Sequence, residues 1–152
     1  MGVDEVKNEF ERRGIRCPIR EMETTTATVA TAAGALGVKP ALIAKTLAFE
    51  LKDRPILVVT RGDAKIDNQK FKQHFHVKAS MMSPGEVMET TGHPVGGVCP
   101  FGLKQKMDVY LDKSLRSFDK LYPAAGSRNS CVEVTPEELC QITEGQWVDV
   151  CK

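Results

Sequence analysis

Eleven residues, Gly92-His93-Pro94-Val95-Gly96-Gly97-Val98-Cys99-Pro100-Phe101-Gly102, hold four glycines and two prolines. Such a stretch makes a shaped loop whose backbone can approach a ligand closely. Exposed N–H groups at such a turn form a nest for a phosphate, or for a carbonyl oxygen gaining negative charge. A plain connector between a helix and a strand is the competing reading. Lys45 is the second candidate. It stands between Leu42-Ile43-Ala44 and Thr46-Leu47-Ala48-Phe49, a lone cation in an apolar run. A buried lysine needs a partner, and such lysines often serve function. Its competing reading is a helix-end lysine with an apolar stem and its head in water.

The remaining reactive side chains point nowhere so definite. His74 and His76 are two positions apart and share no helix face, and His93 stands alone beside Pro94. None has a second ligand at metal-binding spacing, so no metal is expected. Cys99 lies within the glycine loop and invites a thiol reading, but no base is identifiable near it. Ser114 and Ser130 lack the nucleophile-elbow pattern. The glycine loop leads into a strand, not a helix, which removes the nucleotide-binding fingerprints and leaves no cofactor implied.

Charge is uneven along the chain. Arg61 to Lys78 carries five Lys/Arg against Asp63 and Asp67, while Glu133 to Asp149 carries five acids and no bases. Lys65, Lys70 and Lys72 offer phosphate contacts, which lend affinity and not sequence choice. A solvated basic helix face explains the same run.

The elements that must position these residues read as follows. Val3, Val6 and Phe10 share one face of an opening helix that Gly14 ends. Cys17 to Met22 is extended and leads into the cluster Thr24, Thr25, Thr26 and Thr28. A helix over Val29 to Leu36 stops at Gly37, and Pro40 to Lys45 is a short helix running into a strand. Strands are expected at Thr46–Leu51, Ile56–Thr60, Met107–Leu111, Cys131–Val134 and Gln146–Val150, with a basic helix at Ile66–Phe75. Ser83-Pro84-Gly85-Glu86 and Thr135-Pro136-Glu137-Glu138 are capping boxes. Tyr122 to Asn129 reads as a loop. Strands and helices interleave without a βαβ rhythm, so one α/β (α+β) domain over residues 1–152 with a mixed sheet is expected.

The 152 residues are 41% hydrophobic and 27% charged with net charge +1, which excludes whole-chain disorder and a strongly basic nucleic-acid binder. No run approaches the ~20 apolar residues of a membrane span, and no secretory leader is read at the N-terminus. Five cysteines without a CxxC make a disulfide framework improbable, and a reducing cytoplasm is the expected compartment.

In order and spacing, several short pieces together resemble the YbaK/prolyl-tRNA-synthetase-associated editing-domain family. They are Leu36-Gly37-Val38, Ile43-Ala44-Lys45-Thr46-Leu47, Gly62-Asp63 ahead of Asp67, Gly96-Gly97-Val98-Cys99-Pro100-Phe101-Gly102 and Tyr110-Leu111-Asp112. Ala124-Ala125-Gly126, Val132-Glu133-Val134 and Thr135-Pro136-Glu137-Glu138-Leu139 complete the set. The resemblance implies a twisted mixed sheet flanked by helices, and hydrolysis of mischarged aminoacyl-tRNA in trans without a cofactor. It assigns Lys45 to positioning the tRNA 3′ end. The amides of Gly96 and Gly97 would hold the aminoacyl carbonyl, with Pro100 fixing the loop.

Met22, Thr24, Thr26, Thr46, Val98, Cys99 and Gly126 are the expected substrate contacts. The substrate it implies is a small amino acid such as Cys, Ala, Ser or Thr on tRNA-Pro or a related tRNA. Prolyl-tRNA synthetase is an implied partner, and a monomer or weak dimer the implied state. Relatives acting on cysteinyl-tRNA carry Ser-Ala-Gly followed by an aspartate, where this chain has Ala124-Ala125-Gly126 and then Cys131. That departure weighs against cysteine. The alternative function is a non-catalytic sensor of an amino acid or aminoacyl-tRNA using the same pocket.

Overall fold

The computed structural model describes residues 2–152. Helix α1 (Gly2–Arg13) buries Val3, Val6 and Phe10 and ends at Gly14 with φ +67°. Asp4 and Glu5 in its first turn and Arg12 and Arg13 in its last complement the helix dipole. Strand β1 (Ile19–Glu21) follows, then α2 (Val29–Leu36). Thr28 and Thr31 bond reciprocally across the start of α2, and Gly37 closes it in the left-handed region.

Strands β2 (Ile43–Glu50) and β3 (Pro55–Arg61) form an antiparallel hairpin. The short helix expected to carry Lys45 is a single 3-10 turn, Pro40–Leu42, and the strand has begun by Ile43. Helix α3 (Asn68–Phe75) starts two residues later than the apolar pattern suggests. Asp67 is its cap, accepting the N–H groups of Gln69 and Lys70, and Ile66 instead bridges to Cys151. Helix α4 (Pro84–Thr91) begins with the expected capping box, as does α5 below.

Strand β4 (Asp108–Asp112) runs parallel to β3, and β5 (Tyr122–Pro123) runs parallel to β2. Strand β6 (Ser130–Val132) pairs antiparallel with β1 in a separate ribbon. After α5 (Pro136–Thr143), β7 (Gln146–Val148) closes the main sheet in the order β5-β2-β3-β4-β7. Bridges from Leu121 to Val134 and from Ala124 to Cys131 fasten the ribbon beside β5. This is the mixed α/β architecture anticipated. The two-residue β5 lies inside the stretch read as a loop, since two residues are too few to show a period.

The main sheet is covered on both faces, which explains the unbroken Ile56-Leu57-Val58-Val59 run. Leu57 and Val59 pack with Phe10, Phe101, Leu111 and Leu139. Ile56 and Val58 pack with Phe49, Phe71 and Tyr110 on the α3 side. A smaller cluster, Ala32, Ala33 and Ile43, pins α2 against the start of β2. Among the described residues no helix is long and apolar enough to cross a membrane.

Candidate active site

A cavity of about 280 Å3 opens beside β2. Its position follows from strand pairing. Strand β5 covers only Ile43 and Ala44, and the next backbone contacts on that edge are Met82 N–H to Ala48 C=O (3.1 Å) and Glu50 N–H to Ser80 C=O (2.9 Å). The edge of Lys45–Leu47 is left uncovered between them. The backbone groups of Ala48 and Glu50 point away from β3, so the alternation of an antiparallel strand turns those of Thr46 the same way.

Lys45 shares its face of β2 with Leu47 and Phe49, not with Thr46. Its ammonium neither reaches freely into water nor stands alone: Nζ donates to the Ala64 carbonyl at 2.5 Å. Burial pushes its pKa below the ordinary 10.5, with the Asp63 carboxylate opposing and Lys65 reinforcing that fall. Gly62 allows the turn to reach that position, because a Cβ there would lie 2.7 Å from the Ile43 carbonyl oxygen.

The glycine loop forms the opposite wall through Val95, Gly96 and Val98. Gly96 has φ +94°, and a Cβ on it would come within 2.9 Å of the Ala27 Cβ. Gly97 differs from its neighbour. Its N–H is spent on the Pro94 carbonyl (2.9 Å), and its carbonyl accepts from Gly126 N–H (3.0 Å). A Cβ there would stand 2.7–2.8 Å from the backbone of Ser127. Among the described residues the amides of Gly96 and Val98 have no hydrogen-bond partner. The expectation that Gly97 lends its amide to a substrate is therefore corrected: Gly97 is where two loops touch.

Of the residues expected to contact substrate, Thr26, Thr46 and Val98 line the cavity. Other expected residues do not. Met22 is bound to Asn129 through both N–H and C=O (2.6 and 3.0 Å), and Thr24 is exposed. Gly126 (φ +97°) makes room for the first residues of α1, its Cβ position falling 2.5 Å from the Gly2 carbonyl carbon. Cys99 is fully buried, its thiol on the Phe101 carbonyl (3.5 Å) and its pKa pushed up by burial to about 12, which denies it a thiolate role. Pro100 is buried and borders a separate polar recess with Glu9 and Arg13. His93 is a core histidine bound through Nε2 to the Phe101 carbonyl (2.6 Å).

Of the basic residues, Lys65 and Lys72 are exposed, while Lys70 is held by Asp149 (3.1 Å) and the Cys151 carbonyl (3.0 Å). Among the described residues no group of three His, Cys, Asp or Glu side chains is placed to hold a metal ion.

Sequence reasoning missed Arg128. Its carbonyl accepts from Thr26 N–H (2.7 Å) and from the Thr25 hydroxyl (3.2 Å), while its Nε donates to the Val95 carbonyl (3.0 Å). One residue thus ties two walls of the cavity together. It missed Met81 and Val95 as well, the large hydrophobics with high exposure (62% and 45%), which both line the cavity. Nothing local in the sequence marks any of the three.

A family model described as "Aminoacyl-tRNA editing domain" matches residues 23–142. A Bacillus subtilis protein named "Uncharacterized protein YwhH" is 49% identical over 100% of this chain and 98% of its own length. The Enterococcus faecalis protein named "Putative Cys-tRNA(Pro)/Cys-tRNA(Cys) deacylase EbsC" is 29% identical over 78% of this chain and 73% of its own. A solved structure described as a "putative trans-editing enzyme for prolyl tRNA synthetase" superposes with a TM-score of 0.92 at 28% identity, covering 99% of this chain and 97% of that one. The chain belongs to the aminoacyl-tRNA editing domain family.

Proposed function

We propose that this protein is an aminoacyl-tRNA deacylase that hydrolyses the ester of a mischarged tRNA, with the cavity beside β2 receiving the aminoacyl group. The observation that carries the reading is that one cavity is lined by Lys45 and by Gly96 and Val98, whose amides have no hydrogen-bond partner among the described residues. The family match and the relatives named for tRNA deacylation and trans-editing support it.

The residues suggest how the step runs. The ester carbonyl sits against the Gly96 and Val98 amides, which stabilise the oxygen as it gains charge. Water adds to the carbonyl carbon, and the tetrahedral intermediate collapses with the ribose oxygen of the terminal adenosine leaving. The vicinal ribose hydroxyl carries the proton from the attacking water toward that oxygen. Cys131 is the one thiol lining the cavity, and burial raises its pKa, so it is not the nucleophile. Lys45 orients the acceptor end, Met81 and Val95 flank the terminal nucleoside at the mouth, and exposed Lys65 and Lys72 meet phosphates. The tRNA is tRNA-Pro or a related one, prolyl-tRNA synthetase is the associated enzyme, and the cytoplasm is the compartment.

A non-catalytic sensor is favoured by one observation: among the described residues no Asp, Glu, His or Ser side chain lines the cavity. Incubation with a panel of mischarged tRNAs separates the two. Loss of the ester from at least one small-amino-acid tRNA is expected; binding without any loss of ester establishes the sensor.

A further inference from the structure

Three buried side-chain polar atoms lack a partner among the described residues: Thr26 Oγ1, Thr46 Oγ1 and His93 Nδ1. Two of the three belong to residues lining the cavity. Thr26 is only 5% exposed, and its backbone N–H is fixed to Arg128, so the side chain cannot turn outward with its loop. Beside it lies the Cys131 thiol, a weak partner for a hydroxyl. Thr46 stands on β2 with its face set by Ala44 and Ala48. The lining is largely apolar, with Ala32, Ala44, Ala48 and Val87 among it, and Thr28, Lys45 and Tyr122 border it as well.

A buried hydroxyl without a partner is costly, and two among the residues lining one small cavity call for an explanation. Rotation of about 120° about χ1 carries a threonine's oxygen to the place its methyl held, and the methyl to the place of the Cβ hydrogen. Both residues line the cavity, and where the methyl borders it that rotation puts the oxygen on the wall. A hydroxyl can donate and accept, so the pair complements a ligand group that does both.

We infer that Thr26 and Thr46 are specificity-determining residues that select an aminoacyl side chain bearing a hydroxyl, serine or threonine, over alanine. The inference rests on the proposed assignment of the cavity to the aminoacyl group. The physical basis is asymmetric. A pocket of methyl groups separates serine from alanine weakly, whereas a site built to bond a hydroxyl rejects the analogue that leaves its own polar groups unpaired. Cysteine is disfavoured by the same logic, because its thiol bonds poorly to both threonines.

The test uses two readouts on the full chain. Hydrolysis rates are compared for seryl-, threonyl-, alanyl- and cysteinyl-tRNA-Pro with the wild type, Thr26→Val and Thr46→Val. Binding is compared for the non-hydrolysable 3′-seryl and 3′-alanyl amides of adenosine. Valine keeps the shape and removes the hydroxyl. The wild type is expected to prefer the seryl over the alanyl ester by about 10-fold or more, the scale of one unsatisfied buried hydroxyl. Each valine variant is expected to shrink the seryl-to-alanyl ratio toward one, a change that general unfolding would not cause.

Equal use of seryl and alanyl groups by the wild type, or variants that lower both rates in proportion, overturns the inference. The amides separate its failure from that of the deacylase reading. A preference for the seryl amide without hydrolysis of any ester removes the enzyme and upholds the selectivity. Hydrolysis with no preference does the reverse.

Discussion

Replacing Gly97 by alanine tests how the glycine loop is held. The added Cβ would meet Ser127 C, Cα and N at 2.7, 2.8 and 2.8 Å, all backbone atoms with no rotamer to give way. Carbon atoms pack at about 3.5–4.0 Å, so the two loops must separate by the better part of an ångström. That separation stretches the bond from Gly126 N–H to the Gly97 carbonyl, now 3.0 Å. Overpacking of this kind costs about 1–3 kcal/mol, and the weakened hydrogen bond adds about 1 kcal/mol. For a chain of this length each kcal/mol lowers Tm by roughly 2–4 °C, so a fall of about 4–16 °C is expected. The deacylation rate should fall with it, because Gly96 and Val98 flank the displaced residue. Differential scanning calorimetry and single-turnover hydrolysis on one preparation read both. A rate loss of 100-fold with an unchanged Tm would return the Gly97 amide to the substrate.

Arg128→Ala removes the 3.0 Å bond to the Val95 carbonyl while leaving the backbone bonds to Thr25 and Thr26 in place. A rate reduced about 10-fold with Tm within a few degrees is expected, the loss being one of loop position; single-turnover kinetics beside a melting curve checks it. His93 gives a pH dependence. Its Nε2 faces a carbonyl and so carries the proton, its Nδ1 has no partner among the described residues, and burial depresses its pKa below 6.5. The unfolded chain therefore binds a proton that the folded chain refuses, and stability falls as pH drops through 6.5. His93→Gln should flatten the Tm-against-pH curve between pH 7.5 and 5.5; a slope equal to that of the wild type would exclude His93 as its source.

Local signals were legible in the sequence where the structure uses local bonds. The boxes Ser83/Glu86 and Thr135/Glu138 close within four residues, and both helices start there. Lys45 and the glycine loop stood out because a lone cation and clustered glycines are unusual in any context, and both border the cavity. What the sequence hid depends on distant pairing. The role of Arg128 needs Thr26 and Val95, 102 and 33 positions away, to arrive at the same place. Gly96 and Gly97 look alike in composition. They part only because one N–H closes a turn on Pro94 while the other is left unspent. Thr24 and Thr26 likewise differ by two positions, yet only Thr26 is drawn under the Arg128 carbonyl and buried.

Whether the cavity between Lys45 and the glycine loop hydrolyses an aminoacyl ester is decided at Lys45. Single-turnover hydrolysis of the best mischarged tRNA by the wild type and Lys45→Ala tests it most directly. Removing the ammonium deletes a positioned electrostatic group and one bond to the Ala64 carbonyl, with no core side chain lost. The rate should fall at least ~100-fold with the fold retained. A variant within a few-fold of the wild type would contradict the account.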